Sequence, residues 1–301
     1  MWEWGCNIRL ENNSNVWSKT MSKKSIMITG VSTGIGLGTL SYFVKNGFHV
    51  YGSVRNSKDA SRLKKIYKDN FTPLIFDVTK EAQLKKAVAF LKKDLKNSNL
   101  LALVNNAGVA ISGPLLHQKV KDFEKQIDIN LNGAFRVIKY FAPLCGAEKN
   151  NSSKKGVIFN ISSISGKIGM PGVGAYTASK FGLEGLSHSL RRELMRYGVD
   201  VVVIGPGPIK TEIFDKIDKK FIQSLKKTDY ANDAKGIPKR MKNAKKIAFP
   251  AEEVGKLVFN ALHNPNRKTR YAITPSRMMY WTLPMLLPDR ILDRLIKSRS
   301  G

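Results

Sequence analysis

The sequence is poor in the residues that build disulfide frameworks and metal centres. It contains two cysteines, Cys6 and Cys145, and four histidines in 301 residues. Two cysteines cannot make a disulfide framework, which fits a reducing compartment, and we expect a cytoplasmic protein. Neither cysteine has a partner at the spacing of a metal site and the histidines are scattered, so no metal is expected.

Acidic residues are also scarce, with 23 aspartates and glutamates against 51 lysines and arginines and a formal charge of +28. Such a field attracts anions, among them nucleic acids, membrane surfaces and cofactor phosphates. The lysines are spread along predicted helices, without the arginine and aromatic residues that alternate in nucleic-acid motifs. We interpret the charge as a solvated surface, with peripheral membrane contact as the second interpretation and nucleic-acid binding as the weakest.

Long apolar runs are missing as well. No stretch of about 18 apolar residues occurs, so no transmembrane helix is expected. Residues 1–20 lack the apolar core of a secretory signal. Because Met21 stands just before the first predicted strand, we interpret residues 1–22 as a disordered or artefactual extension.

From Ser25 onward, short β-branched runs alternate with longer amphipathic stretches. Several runs are continuously apolar, which is typical of strands buried on both faces of a parallel sheet. The pattern predicts one α/β domain with a doubly wound parallel sheet, the Rossmann fold, and ligands at the carboxyl ends of its strands. The predicted strands are 26–29, 48–54, 74–76, 101–104, 156–161, 199–204 and 270–273. The predicted helices are 34–45, 59–68, 81–95, 123–141, 175–197 and 251–262.

A glycine-rich turn, TGVSTGIG at 29–36, follows the first predicted strand. Gly30 permits the tight turn, Gly34 lets the backbone approach a pyrophosphate, and Gly36 lets helix and strand pack closely. The helix that begins here points free N–H groups and its positive dipole end toward phosphates. The turn therefore predicts a dinucleotide site.

The end of the second predicted strand bears on which dinucleotide is bound. A site for NAD usually has a carboxylate there for the ribose 2′-hydroxyl, and residues 51–56 contain none. Arg55 is placed to pair with a 2′-phosphate, with a solvated loop arginine as the plainer alternative. We favour NADP(H), with NAD(H) as the second candidate.

Tyr176 and Lys180 are four residues apart on a predicted helix and therefore share one face. Free tyrosine has a pKa of about 10, and a nearby ammonium lowers it by favouring the phenolate. A tyrosine tuned in this way can exchange a proton with an alcohol or a carbonyl. Alone, the spacing is a common accident of helices.

Five motifs occur in order, each at or just beyond the end of a predicted strand. They are the glycine turn, NNAG at 105–108, SS at 162–163, Tyr176-x-x-x-Lys180, and PGPIKT at 206–211. Together they resemble the short-chain dehydrogenase/reductase family over about residues 23–275. DINL at 128–131 and LRREL at 190–194 look like the branch that contains retinol and hydroxysteroid dehydrogenases.

The resemblance implies a catalytic domain at 23–275 and a separate tail at 276–301. It implies hydride transfer between NADP(H) and an alcohol or carbonyl substrate. It also implies a homodimer or homotetramer that pairs the long helices at 123–141 and 175–197. A protein of the same fold that senses NAD(P) without turnover is the alternative. An intact set of Ser163, Tyr176 and Lys180 argues against that alternative.

The resemblance also assigns roles to individual residues. Tyr176 would be the general acid/base, Lys180 would lower its pKa and bind the nicotinamide ribose, and Ser163 would hold the substrate oxygen. Asn130 would order a water linking Lys180 to solvent. The positions assigned to the cofactor are Gly30, Ser32, Thr33, Gly34, Ile35, Gly36, Arg55, Asp77, Val78, Asn106, Ala107, Gly108, Tyr176, Lys180, Pro206, Gly207, Ile209 and Thr211.

Several of these residues have plainer explanations. Asn106 is also a typical turn residue, and Asp77 a typical helix N-terminal cap. Asn130 can be a polar helix residue satisfied by its neighbours. Of the two serines, Ser163 is favoured over Ser162 because it lies thirteen residues before Tyr176.

The substrate is expected to be lipophilic, such as a retinoid-, steroid- or acyl-like molecule, because apolar Met170, Pro171 and Val173 are placed to shape its site. Residues 212–247, lysine-rich and poorly periodic, are predicted to form a mobile lid. Residues 278–296 join an apolar segment to an amphipathic helix. This tail either seats in a membrane interface with Trp281 as an anchor, or folds back over the substrate mouth or a partner subunit.

Overall fold

The computed structural model describes residues 24–298, apart from 97, 152, 154, 212–221, 223, 224 and 227. The strands are β1 (Ser25–Ile28), β2 (His49–Val54), β3 (Phe71–Ile75), β4 (Ala102–Asn105), β5 (Val157–Ile161), β6 (Asp200–Pro206) and β7 (Arg270–Ile273). Within the described residues they form one seven-stranded sheet in the order β3-β2-β1-β4-β5-β6-β7, and all neighbours are parallel.

Helices cover both faces of the sheet. They are α1 (Gly34–Lys45), α2 (Ser57–Tyr67), α3 (Glu81–Leu95), α4 (Val120–Ile127), α5 (Gly133–Phe141), α6 (Gly174–Leu194), α7 (Ala231–Lys246), α8 (Ala251–His263), α9 (Leu283–Leu286) and α10 (Asp289–Ser298). Side chains of α1, α2 and α8 share one core cluster with the sheet, whereas those of α3 and α5 share a second. Successive residues of β1 point into different clusters, which explains its continuous apolar run. The predicted doubly wound sheet is confirmed.

Helices α1 and α8 approach each other until their backbones touch. A Cβ on Gly38 would lie 2.6 Å from the carbonyl carbon of Ala251, and one on Gly255 would lie 2.8 Å from the Cα of Thr39. Both contacts are shorter than real Cβ atoms show, so glycine is required on each side. This packing fixes the axis of α1, the helix that follows the glycine turn.

The structure differs from the sequence-based prediction in three segments. Strand β3 begins at Phe71 rather than at residue 74, because it is an edge strand and tolerates Pro73. The predicted helix 123–141 is instead α4, a π-helical segment Asp128–Asn132, and α5. The predicted lid contains the regular helix α7, although most of its first part lies outside the described residues. The predicted extension 1–22 also lies outside them.

None of the described helices combines the length and the apolar character that a membrane crossing requires, as the sequence predicts.

We predict that Gly38→Ala lowers the free energy of unfolding by about 1–3 kcal/mol, because the added methyl group overpacks the α1–α8 contact. Urea unfolding measures the change. Gly185→Ala is the matched control: Gly185 also lies within a helix, but a Cβ there would meet nothing within 4 Å. That variant is expected to be as stable as wild type or up to about 1 kcal/mol more stable. Equal stability of the two variants would contradict the close packing.

Candidate active site

The strand order reverses between β1 and β4, and the segments that follow them are tied together at that point. The Thr29 hydroxyl oxygen accepts hydrogen bonds from the backbone N–H groups of Asn106 (2.9 Å) and Ala107 (3.0 Å). The Asn106 side chain donates to the carbonyl oxygens of Thr29 (2.9 Å) and Gly30 (3.1 Å). Asn106 is therefore a turn residue that joins the two segments at the point where doubly wound sheets bind ligands, and its contact with a cofactor stays a prediction.

The glycine turn has the backbone that the sequence predicts. Gly30 and Gly34 have φ angles of +71° and +57°, in the left-handed region that favours glycine. A Cβ on Gly36 would lie 2.1 Å from the carbonyl oxygen of Gly30. Helix α1 starts without a side-chain cap from Thr33 and without an acidic residue in its first turn. The start of α1 thus offers its positive end to an anion, as a pyrophosphate site requires.

The segment after β6 lies over this turn. The Thr211 methyl carbon is 3.2 Å from the position that a Cβ on Gly34 would take. Gly207 donates its N–H to the carbonyl oxygen of Ile273 (2.8 Å), which fixes the segment to β7. The Ile209 side chain is buried in the core, and its predicted contact with the nicotinamide stays a prediction. Two parts of the predicted cofactor site that are far apart in sequence are therefore adjacent.

Ser163, Tyr176 and Lys180 meet at the end of β5. The Ser163 Oγ accepts from the backbone N–H of Ser165 (3.1 Å) and lies 3.5 Å from the carbonyl oxygen of Pro206. The Lys180 Nζ donates to the carbonyl oxygen of Ile161 (2.8 Å) and lies 5.6 Å from the centre of the Tyr176 ring. The structure brings these side chains together, and their roles stay predictions.

Burial acts on both titratable groups of this set. It raises the pKa of Tyr176, and a hydrogen bond with Ser163 partly opposes the rise. Burial lowers the pKa of Lys180 to about 8, and the charge of Glu184 opposes that fall. Near neutral pH the tyrosine is therefore a protonated phenol and the lysine an ammonium. The predicted proton transfer requires these protonation states.

Asn130 is buried in the π-helical segment, with 1% of its surface exposed. Its Nδ2 donates to the Val109 carbonyl oxygen (2.8 Å) and to the Ser179 hydroxyl (2.9 Å), and its Oδ1 accepts from the Val109 N–H (2.8 Å). Both amide hydrogens are thus used within the protein. The side chain ties the loop after β4 to α6, and the water relay implied by the resemblance stays a prediction.

The positions predicted for the adenosine end are more scattered. Arg55 is exposed beyond β2. Asp77 Oδ1 accepts from the N–H and the hydroxyl of Thr79, both at 2.8 Å, so this oxygen stabilises a turn. Val78 is buried, and its side chain lies against Gly133 of α5. No contact among the described residues joins these three side chains.

Sequence reasoning missed two residues that shape the glycine turn. Arg62 of α2 donates to the Ser32 carbonyl oxygen (2.8 Å) and forms an ion pair with Asp59 (2.9 Å), which lowers the pKa of that carboxyl group. The buried Ser53 hydroxyl accepts from the Gly30 N–H (2.8 Å). The Asp59–Arg62 spacing indicated only a solvated helix face.

A buried polar chain behind the site was also missed. Asn105 Nδ2 donates to Asn160 Oδ1 (2.8 Å), and Asn160 Nδ2 donates to the Ser187 hydroxyl (2.8 Å). The Ser187 hydroxyl donates to the Leu183 carbonyl oxygen (2.6 Å). The chain crosses from β4 through β5 to α6. An asparagine within the apolar run 157–161 was the available signal, since buried amides need partners.

The tail folds back onto the end of β6. Trp281 is 6% exposed, and its ring lies 3.0 Å from the position of a Cβ on Gly205. A Trp281 side chain buried in this way is not available as a membrane anchor, so that part of the membrane interpretation is wrong. Met278, Met279 and Leu286 of the same segment are exposed. The Tyr230 ring before α7 packs edge-on against His117, with ring centroids 5.4 Å apart.

A doubly wound parallel sheet, a glycine turn at its switch point and a buried Ser–Tyr–Lys set at the same edge of the sheet define an α/β protein of the nucleotide-binding type. Comparison with known proteins places it further. Residues 24–221 match the family model described as short chain dehydrogenase. The chain belongs to the short-chain dehydrogenase/reductase family, in the branch of the retinol and hydroxysteroid dehydrogenases, and is an oxidoreductase of that family.

Three similar proteins illustrate the relationship. The NADPH-dependent 3-dehydrocapnine reductase of Ornithobacterium rhinotracheale is 37% identical over 269 residues, which cover 89% of this chain and 94% of that protein. Estradiol 17-beta-dehydrogenase 2 of Mus musculus is 30% identical over 298 residues, covering 92% and 75%. The closed form of serine dehydrogenase complexed with NADP+ is 26% identical and has a TM-score of 0.68, covering 83% and 94%.

We predict that Asn130→Asp lowers the free energy of unfolding by about 2–4 kcal/mol, because it replaces two donors with a carboxylate oxygen facing the Val109 carbonyl. Urea unfolding at neutral pH measures the loss. Asn132→Asp is the control, since Asn132 lies in the same π-helical segment but is exposed. If both variants lose the same small amount, the Asn130 hydrogen bonds are not structurally important.

Proposed function

We propose that the chain is an NADP(H)-dependent oxidoreductase that transfers a hydride between the nicotinamide and an alcohol or carbonyl group, with Tyr176 as general acid/base. The observation that carries the proposal is the convergence of Ser163, Tyr176 and Lys180 beside the glycine turn. Residues 23–275 form the catalytic domain in this proposal. A protein that binds the nucleotide without turnover has no use for a buried tyrosine and lysine whose pKa values are both shifted.

Three side chains have different roles at the substrate oxygen. A nicotinamide cofactor, when bound, supplies or accepts the hydride. Ser163 holds the substrate oxygen by a hydrogen bond, and Tyr176 donates the proton that this oxygen needs on reduction. The Lys180 ammonium then stabilises the phenolate that is left on Tyr176. Burial keeps Tyr176 protonated near neutral pH, the form that can donate a proton.

Two arginines lie near the proposed position of the 2′-phosphate, and the carboxylate close to them is held in an ion pair. Arg55 follows β2, and Arg62 reaches the Ser32 carbonyl in the glycine turn. Asp59 is the acid close by, and it is neutralised by Arg62. The names of the bacterial reductase and of the NADP+ complex of serine dehydrogenase support the same cofactor. NAD(H) is the alternative that the binding experiment decides.

The surface around the crevice supports a lipophilic substrate. The loop after β4 pairs with the segment before α6 through Gly113 and Val173, and Leu115 lies against Gly174. Leu116, Val120 and Met170 are exposed on these two segments. Exposed apolar groups beside a catalytic crevice fit a retinoid-, steroid- or acyl-like substrate. We also propose that the exposed apolar residues of the tail contact a membrane surface. Two subunits are proposed to pair through α4, α5 and α6.

We predict that Tyr176→Phe lowers kcat for carbonyl reduction by about 10²- to 10⁴-fold, because the proton donor is lost. The dissociation constant for NADPH changes less than about threefold, since the ring is retained. NADPH consumption is followed with carbonyl compounds of increasing chain length, including 3-dehydrocapnine. Tyr197→Phe, a change just beyond the same helix, is the control and keeps wild-type turnover.

Equal turnover by Tyr176→Phe and wild type would overturn the mechanism. Tight NADPH binding without turnover of any compound would favour the non-catalytic alternative. Turnover restricted to small polar compounds would remove the lipophilic substrate from the proposal.

We predict that Arg55→Ala raises the dissociation constant for NADPH by about 10- to 100-fold, the value of one charge-assisted hydrogen bond, and leaves NADH binding unchanged. Isothermal titration or fluorescence measures both constants. Lys65→Ala is the control for loss of one surface charge, because Lys65 is an exposed residue of α2. Equal loss in both variants would show a general field effect instead of a contact with the 2′-phosphate.

A further inference from the structure

One carboxylate and one ammonium are buried among the residues that the structure describes, and they are a single helical turn apart. Glu184 is 2% exposed and Lys180 is 5% exposed, and both belong to α6. Side chains four residues apart on a helix are neighbours on one face. The charge of Glu184 favours the ammonium form of Lys180, whereas burial disfavours it. The ammonium of the proposed active site therefore lies in the field of Glu184.

Two cations from other parts of the fold bind the same carboxylate. Arg270 of β7 donates a hydrogen bond to the Glu184 Oε2 and forms an ion pair with it. The Lys167 Nζ lies 3.8 Å from that oxygen. Lys167 directly follows the short turn Ile164–Gly166, which Ser163 caps. Glu184 thus joins α6 both to β7 and to the segment that carries Ser163.

The turn packs directly on the carboxylate side chain. A Cβ on Gly166 would lie 3.1 Å from the Glu184 Cγ and 2.5 Å from the Ser162 Oγ. The turn can approach this closely because position 166 has no side chain. The Glu184 carboxylate is consequently held against the same backbone that positions Ser163.

His188, one turn further along α6, completes the cluster. Its Nε2 is 2.8 Å from the Arg270 Nη2, and because a guanidinium only donates, this nitrogen is an acceptor of a neutral imidazole. Burial, followed by the charges of Arg270 and Lys167, lowers the pKa of His188. The charged groups that face Glu184 are therefore Lys180 on its own helix, Lys167 from the turn and Arg270 from β7, with His188 neutral and Tyr176 protonated near neutral pH.

We propose that Glu184 is a positioning residue of the reaction: it keeps the buried Lys180 protonated and anchors the Ser163 turn and β7 against the helix that carries Tyr176. It acts through Lys180 and through the turn, not on the reacting atoms. The inference rests on the proposed function, in which the Lys180 ammonium stabilises the phenolate of Tyr176.

Glu184→Gln keeps the shape of the side chain and removes its charge. Lys180 is then buried without the compensating charge of Glu184, so its pKa falls below about 8 and the ammonium is lost at lower pH. For carbonyl reduction, we expect the alkaline limb of the kcat/KM–pH profile to move down by about one pH unit. Glu184→Asp, which keeps the charge, is expected to return the limb toward its wild-type position.

Arg270→Gln is expected to shift the alkaline limb in the opposite direction. In the wild type, the ion pair with Arg270 offsets the charge of Glu184, so in this variant the carboxylate acts more strongly on Lys180 and the same limb is expected to move to higher pH. Each single variant leaves a buried charge without its partner, which costs stability. The double variant Glu184→Gln/Arg270→Gln removes both charges, and its limb is expected to lie between those of the single variants but below wild type. Glu193→Gln, an exposed carboxylate near the end of α6, is the control and keeps the wild-type profile.

Opposite shifts for Glu184→Gln and Arg270→Gln support the proposal. A wild-type limb in the folded variants, with activity reduced equally at every pH, would overturn it and leave Glu184 a purely structural role. Where a single variant does not fold, the double variant is measured instead. A limb below that of wild type supports the proposal, and a wild-type limb overturns it. Failure of the proposed function is recognised separately, because Tyr176→Phe would then turn over like wild type.

Discussion

The hydroxyl group of Thr29 is the contact on which the ligand crevice depends. It is 1% exposed and accepts the two backbone N–H groups that follow β4, at the one place where the strand order reverses. Asn106, fixed by this contact, returns two hydrogen bonds to the backbone of the glycine turn. The turn can only close against Asn106 because Gly36 has no Cβ. Contacts from the segment after the neighbouring strand thus fix the shape of the glycine turn.

Contacts from neighbouring strands also position the helix that carries the proposed acid/base groups. The buried amides of Asn105 and Asn160 connect β4 and β5 to Ser187 on α6, and Lys180 of that helix donates to the backbone of β5. A buried amide that loses its partner costs about 1–3 kcal/mol, so α6 cannot slide along the sheet without leaving several groups unpaired. The tyrosine is therefore positioned by polar contacts of the helix on its buried side.

Strands, helices and motif positions were predictable because each has a local pattern. Continuous apolar runs mark strands buried on both faces, and the motifs lie where such runs end. Contacts between distant residues have no such pattern. Arg62 and Ser32, Glu184 and Arg270, and Trp281 and Gly205 each join segments whose sequences look like a solvated helix face or an apolar tail. The π-helical segment was also missed, because one extra residue in a turn hardly changes the hydrophobic period.

The surface charges of this chain and the buried charges of the proposed site differ in how strongly salt screens them. Lysines on the surface are screened by salt over about 8 Å, so their effect on Lys180 is small at physiological ionic strength. Buried charges are screened much less, and here the buried groups are Lys180 and Glu184, with Arg270 and Lys167 mostly covered. Glu184 is therefore expected to affect the protonation of Lys180 more than the surface lysines do. Changing surface lysines should alter how fast anions reach the crevice, whereas changing Glu184 should alter what happens to a proton there.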